Sequence, residues 1–187
     1  MTQPPVWILE TPRLRLRRPI PEDLDALHQL YRDPDIRRYF PEGVLSREET
    51  KEELEYFLHG HPEHPELGLW ATVERETGAF IGRCGLLPWV LEGRYEVEVA
   101  YLINKSYWGR GLATEAARAV ADDGFRTLEL TRLVSLIDEE NRASQRVAEK
   151  VGMTFERAMA DDKGPFWLYS RSKIPRSLPV EKNQTCG

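Results

Sequence analysis

Lys105-Ser-Tyr-Trp-Gly-Arg-Gly-Leu-Ala-Thr-Glu-Ala116 is the stretch on which the reading of this chain turns. Ahead of it, Glu96-Val-Glu-Val-Ala-Tyr-Leu-Ile103 alternates polar and apolar residues and is rich in β-branched types, the pattern of a strand. Behind it, small or apolar residues recur at 113, 116, 117, 120, 121, 124, 125 and 128, the spacing of an amphipathic helix. The order is therefore strand, glycine turn, helix. Gly109 and Gly111 let a ligand approach the main chain, and the first helical N–H groups face it unpaired. Bare amides at a helix N-terminus suit a phosphate or pyrophosphate. Lys105 and Arg110 add positive charge beside them.

The kind of phosphate ligand narrows by elimination. A dinucleotide fingerprint G-x-G-x-x-G/A would need glycine or alanine at 114, which is Thr114, and the chain has no G-x-x-x-x-G-K-[ST] loop. What remains, Trp108-Gly-Arg-Gly-Leu-Ala113, resembles the acyl-CoA pyrophosphate loop of the GNAT superfamily of N-acetyltransferases, [Gln/Arg]-x-x-Gly-x-[Gly/Ala]. Gly111 and Ala113 fill its last two defined places, and Trp108 stands where Gln or Arg is usual. The fuller run Tyr-Trp-Gly-x-Gly-x-Ala-Thr-Glu-Ala is similar to the Rim-type (RimJ/RimL-like) branch, whose founding members acetylate N-terminal amines of ribosomal proteins. The resemblance implies an acyl-CoA contact at Trp108, Gly109, Arg110, Gly111, Leu112, Ala113 and Thr114.

The rest of the chain reads in order. Thr11-Pro-Arg-Leu-Arg-Leu-Arg-Arg18 is an opening strand whose arginines form the solvated side of an edge strand, and Pro21-Glu-Asp opens a helix running to about Arg32. Residues 33–43 look like a loop; Ser46-Arg-Glu-Glu is a capping box that starts a second helix ending near Gly60. Three histidines fall in His59-Gly-His-Pro-Glu-His64, a Pro/Gly-rich connection with no cysteine and no helical face, so no metal site is expected. Leu67 to Val73 and Phe80 to Val90 make a hairpin, and Leu91 to Tyr95 turns into the strand before the glycine loop. Arg132 to Ile137 is a buried strand, a fourth helix ends at Gly152, and two strands at 153–159 and 166–170 close the chain. The expected fold is a mixed α/β domain: about seven strands in one twisted sheet with helices on both faces. That order matches the GNAT fold over roughly residues 10–172, with a flexible tail from Arg176, in a single domain spanning 1–187.

Composition sets outer limits. At 187 residues the chain is long enough for one well-packed domain. A net charge of −5 argues against a general grip on nucleic acid. Two cysteines, Cys84 and Cys186, give no disulfide framework, and no apolar run reaches membrane-spanning length. These point to a cytoplasmic protein, monomer or homodimer, with no membrane or nucleic-acid partner.

Acyl transfer to an amine needs a base, a stabilised oxyanion, a protonated leaving thiolate and two substrates held together. The resemblance places acyl-pantetheine between the strands before the turn and after the helix, with main-chain N–H groups around Val99 to Tyr101 on the thioester carbonyl. Glu98 is the expected base, with a solvated strand acid as the alternative reading. Ser144, on the apolar face of the fourth helix, is either a proton donor to the thiolate or a serine bonded back to its own helix. Many GNATs carry a tyrosine one turn later, where this chain has Ala148. Asn141 either caps that helix or reaches the pantetheine amide. Arg37, Arg38, Tyr39 and Phe40 are acceptor-contact candidates by resemblance, or else a loop anchored by its aromatics, and Trp89 is either an acceptor contact or core packing. The implied function is transfer of an acyl group, most often acetyl, from acyl-CoA to a primary amine by direct attack. The amine is a protein N-terminus or a small molecule such as an antibiotic, polyamine or amino acid. A non-catalytic acyl-CoA-binding regulatory module is the alternative.

Overall fold

The computed structural model describes residues 6–173; the tail expected from Arg176, with Cys186, lies outside them. Two short antiparallel strands open the chain, β1 (Trp7–Glu10) and β2 (Leu14–Arg17). The edge strand is therefore β1, which four residues behind a proline pair do not announce, and β2 lies inside the sheet. Its arginines are not all solvated either. Arg17 is buried, with Nη1 and Nη2 donating to the Asp23 carboxylate at 2.6 and 2.7 Å.

A 3-10 turn at Pro21–Asp23 leads into α1 (Leu24–Tyr31). The 33–43 segment, expected as a loop, holds a single helical turn, α2 (Pro34–Arg37), because Asp33 caps it by accepting from Asp35 N–H. The capping box forms as the sequence indicates: Ser46 Oγ accepts from Glu49 N–H, Glu49 reaches back to Ser46 N–H, and α3 (Arg47–Phe57) follows.

A meander of β3 (Gly68–Glu74), β4 (Phe80–Leu91) and β5 (Arg94–Ile103) precedes α4 (Leu112–Arg126). Then come β6 (Arg132–Asp138), α5 (Arg142–Val151), β7 (Thr154–Asp161) and β8 (Gly164–Ser172). The strands form one sheet of eight, in the order β1-β2-β3-β4-β5-β6-β8-β7, one more than expected. Every neighbouring pair is antiparallel except β5 and β6.

Helices cover both faces. The main core joins the sheet to α4 and α5; Leu112, Ala116, Ala117, Val120, Ala121 and Phe125 of α4 are buried against Leu86, Val97, Val99 and Leu133. The small residues on that helix let it sit close to the strands: a Cβ at Gly124 would come 3.3 Å from Leu86 Cδ1. Burying Val120 and Phe125 contributes about 1.5–3 kcal/mol each. On the other face α1 and α3 enclose a smaller cluster of Leu27, Leu30, Tyr31, Ile36, Leu54 and Leu102.

Parallel strands β5 and β6 have their carboxyl ends on the same side of the sheet, so the helices after them, α4 and α5, both begin there. Whereas β4 and β5 pair from Gly82–Ile103 to Leu91–Arg94, β5 and β6 share the single bridge Glu98–Val134. Beyond it the two strands part.

Candidate active site

At the carboxyl end of β5 the chain turns through Gly109 and Gly111, with φ of +75° and +76°. This left-handed conformation costs a residue with a Cβ about 1–2 kcal/mol, which is why glycine stands at both places. Gly111 is the N-cap of α4 and offers no side chain, so the amides of Leu112, Ala113 and Thr114 open the helix without a side-chain partner. Such an end favours an anion through both its free donors and its dipole.

The cations expected beside it are otherwise engaged. Lys105 bridges Asp33 and Asp35 at 2.7 and 3.1 Å, and the Arg110 guanidinium turns to Glu74 at 2.8 Å. Arg13, not singled out from the sequence, also lies against the turn, and it too is paired. Its Nη1 donates to the Arg110 carbonyl at 2.9 Å, its Nε reaches Glu115 at 2.7 Å, and Nη2 lies 3.8 Å from where a Cβ would stand on Gly111. Glu115 also accepts from Thr11 Oγ1 and Arg13 N–H, a structural joint between the opening strands and α4. Trp108 pins the turn by donating from Nε1 to the Ile103 carbonyl at 2.7 Å, leaving its ring half exposed.

Where β5 and β6 part, side chains replace the missing ladder. Ser135 Oγ donates to the Val99 carbonyl at 2.9 Å, and the Leu136 N–H donates to Glu98 Oε1 at 3.2 Å. N–H and C=O groups of residues i and i+2 leave a strand by the same edge. Since the Val99 carbonyl faces β6, the Tyr101 N–H faces the gap as well. The Tyr101 side chain crosses to α5, its hydroxyl donating to the Ser144 carbonyl at 2.8 Å.

Glu98 is 9% exposed, not a solvated strand acid. Trp89 Nε1 donates to its Oε2 at 2.7 Å. Burial pushes the Glu98 carboxyl above the usual carboxylate range; the Trp89 and Leu136 donors and the charge of Arg83 pull the other way without cancelling it. Trp89 itself is 41% exposed, so the reading of it as core packing fails and its indole forms a wall beside the acid.

At the start of α5, Asn141 caps the helix, its Oδ1 accepting from Ser144 N–H at 3.1 Å. Ser144 Oγ has no hydrogen-bond partner among the described residues, so the back-bonded alternative is not what forms. Gln145, which sequence reasoning passed over, closes the β6–α5 connection by donating to the Asp138 and Glu139 carbonyls.

The acceptor candidates separate. Phe40 packs into the smaller cluster, with Arg37 stacked on it at 4.2 Å and Arg83 at 5.9 Å. Arg38 is exposed and lies over Tyr39 at 5.3 Å, on a loop that Arg37 Nε holds through the Gly43 carbonyl. Arg83 gave no signal in the sequence, yet it is buried between this loop and Glu98, 3.5 Å from Glu53. Tyr56, His61, His64 and Tyr95 form a chain of edge-on and tilted ring contacts, with successive centroids 5.5, 5.7 and 5.5 Å apart.

Comparison with known proteins agrees with the fold. The family described as "Acetyltransferase (GNAT) domain" matches residues 13–154. The uncharacterized protein YkkB of Bacillus subtilis is 34% identical over 87% of this chain and 94% of its own length. The spermidine N(1)-acetyltransferase of Escherichia coli K12 is 29% identical over 72% of this chain and 69% of its own. The solved structure of RimL, a ribosomal alpha-N-protein acetyltransferase in complex with coenzyme A, superposes with a TM-score of 0.73, covering 89% of this chain and 97% of that one. At 20% identity it shows likeness of fold alone.

Proposed function

The chain belongs to the GNAT acetyltransferase family, and on that premise we propose that it moves an acetyl group from acetyl-CoA to a primary amine by direct attack, with Glu98 as the base. The observation that carries this reading is the succession of three features along β5 and beyond its carboxyl end. The uncapped N-terminus of α4 lies at the end of β5, the β5–β6 ladder stops at Glu98–Val134, and the buried Glu98 carboxylate stands where it stops.

In this reading the amides of 112–114 hold the pyrophosphate, with Arg13 beside them, and pantetheine runs into the gap between β5 and β6. Glu98 takes a proton from the incoming ammonium through water, and its raised proton affinity suits that task. The amine nitrogen then attacks the thioester carbon, and the carbonyl electron pair moves onto oxygen, where the Tyr101 N–H stabilises it. Collapse breaks the C–S bond and leaves a thiolate. The Ser144 hydroxyl, in the first turn of α5, substitutes for the tyrosine that many relatives carry at the position of Ala148, and protonation is completed from solvent. Tyr101 fixes the α5 turn by bonding the Ser144 carbonyl.

The Tyr-Trp-Gly-x-Gly-x-Ala-Thr-Glu-Ala run supports a Rim-type acceptor, the N-terminal amine of a peptide or protein. Ala148, where many relatives carry a tyrosine, supports the second reading of a coenzyme-binding module without turnover. The deciding experiment incubates the protein with acetyl-CoA and a panel of peptide N-termini and small amines, reading thiol release and product mass. Acetylated amine, with no acetylated protein when acetyl-CoA is given alone, is the expected result. Acetyl-CoA binding without turnover of any amine would overturn the catalytic reading.

A further inference from the structure

The Glu98 carboxylate is held between two groups that can only donate. Val97 and Val99 turn into the core with α4, so Glu96, Glu98, Ala100 and Leu102 alternate onto the opposite face of β5. On β4, Leu87 pairs with Glu98 and Trp89 with Glu96, which puts the indole on that same face, diagonal to the acid. Diagonal neighbours stand roughly 7–8 Å apart, within reach of an aromatic side chain, and Trp89 Nε1 meets Glu98 Oε2 at 2.7 Å. From the β6 side the Leu136 N–H meets Oε1 at 3.2 Å. Neither an indole N–H nor a peptide N–H can accept a proton. One donor on each oxygen fixes the plane of the carboxyl group and favours its ionised form.

Packing does not explain the indole. Trp89 belongs to neither apolar cluster and is 41% exposed. The helices α1 and α3 cover this face of the sheet at Leu102, whereas Leu87, Ala100 and Leu136 around the acid are all partly exposed. Trp89 and Glu98 therefore stand at the open part of the face. The other ionisable groups near Glu98 have partners of their own. On β4, Arg83 adds positive charge, with Glu53 of α3 3.5 Å from its Nε and the Tyr31 ring of α1 5.3 Å away. On β5, Glu96 is neutralised by Arg132 at 3.0 Å and Arg94 at 3.2 Å. Burial pushes the Tyr101 hydroxyl, bonded to the Ser144 carbonyl, far above the ordinary tyrosine range, so it stays neutral. On β6, Asp138 accepts from the Glu140 N–H. Among the described residues no side chain other than Trp89 donates to the Glu98 carboxylate.

We propose that Trp89 is a positioning residue for acetyl transfer, its indole N–H turning the Glu98 carboxylate to the open face where the amine arrives and stabilising it as the ion that accepts the proton. The inference rests on the acetyltransfer reading above, with Glu98 as the base, and adds the side chain that acts through it. Burial and the indole oppose one another: burial raises the proton affinity of Glu98, and the donor limits that rise. Without the donor the carboxyl group stays protonated to higher pH and cannot take a proton from the acceptor there.

The test compares the full-length wild type with Trp89→Phe, which keeps an aromatic ring and removes the N–H. Thiol release from acetyl-CoA with a peptide amine is followed against pH. In the variant the acidic limb of kcat/KM moves up by about one pH unit, the scale of a lost hydrogen bond to a charged group. On that limb activity falls about tenfold, the loss shrinks toward the alkaline plateau, and the KM for acetyl-CoA is unchanged. General damage to the fold would lower limb and plateau alike. Nuclear magnetic resonance of the isotope-labelled protein gives a readout independent of turnover. The indole N–H signal that Trp89→Phe removes should titrate in the wild type with the midpoint of the acidic limb, and stand still across that range in Glu98→Gln. An indole signal that ignores Glu98, or a limb that Trp89→Phe leaves unmoved, overturns the role of Trp89 while wild-type turnover keeps the acetyltransfer reading. Absence of turnover in the wild type overturns that reading and the role with it.

Discussion

Replacing Gly111 by alanine and by glutamate separates backbone strain from electrostatics at the α4 N-terminus. Either side chain must adopt φ near +76°, and among the described residues the one neighbour within 4 Å of its Cβ is Arg13 Nη2 at 3.8 Å. There is no steric clash, so the cost is conformational, about 1 kcal/mol. For a chain of this size that lowers Tm by about 2–4 °C, equally in both variants. Binding of acetyl-CoA should then divide them. Alanine leaves the amides of 112–114 in place, and the Kd rises less than tenfold. Glutamate puts a negative charge about 6 Å from the pyrophosphate, which costs about 3 kcal/mol per phosphate charge at an effective dielectric of 20, or roughly a hundredfold in Kd. Added salt narrows the gap between the variants, because exposed charges are screened. Thermal melts with isothermal titration at low and high salt read both quantities. Wild-type affinity in Gly111→Glu would refute the placement of phosphate at this helix end.

Three further outcomes follow from contacts elsewhere. Asp23→Asn leaves the buried Arg17 charge without its counter-ion and costs about 3–5 kcal/mol, read as a drop in chemical-denaturation midpoint; a change below about 1 kcal/mol would show that the pair is not buried in solution. Tyr101→Phe removes the bond to the Ser144 carbonyl and lowers stability by about 1 kcal/mol, and hydrogen exchange quickens in the first turn of α5 rather than across the sheet. Burial pushes the Cys84 thiol up to about 12, so at pH 8 it is protonated and enclosed. Iodoacetamide should spare the Cys84 peptide in the native protein and modify it in denaturant, and rapid native labelling would contradict that burial.

Much of this architecture is written in local pattern. The alternation at 96–103, the helical repeat from 113 and the Ser46–Glu49 box each commit a segment to one structure through nearby contacts alone, and each forms where expected. What escaped depends on distant partners. Arg17 reads as solvated until Asp23 folds back onto it. Arg83 sits in an unremarkable strand, and only the approach of Tyr31, Phe40 and Glu53 from other elements makes it a buried charge. The glycine turn was legible because left-handed backbone demands glycine, whereas the partners of the cations around it were not. Lys105 and Arg110 lie near the turn in sequence but pair with Asp33, Asp35 and Glu74, and Arg13 arrives from the β1–β2 turn nearly a hundred residues away. For Ser144 and Asn141 the sequence left two readings each; the Asn141 Oδ1 cap forms, which leaves its Nδ2 free of that role.

The most direct test of the proposed chemistry is the pH profile of kcat/KM for thiol release from acetyl-CoA with a peptide amine, for wild type and Glu98→Gln. A base whose carboxyl lies above the ordinary range is inactive when protonated, so wild-type activity should rise with pH through that raised value and then level off. Glu98→Gln should lose about 10²–10⁴-fold in kcat/KM together with that acidic limb, while its affinity for acetyl-CoA is kept. A glutamine variant with wild-type rate and an unchanged acidic limb would contradict the assignment of Glu98 as the base.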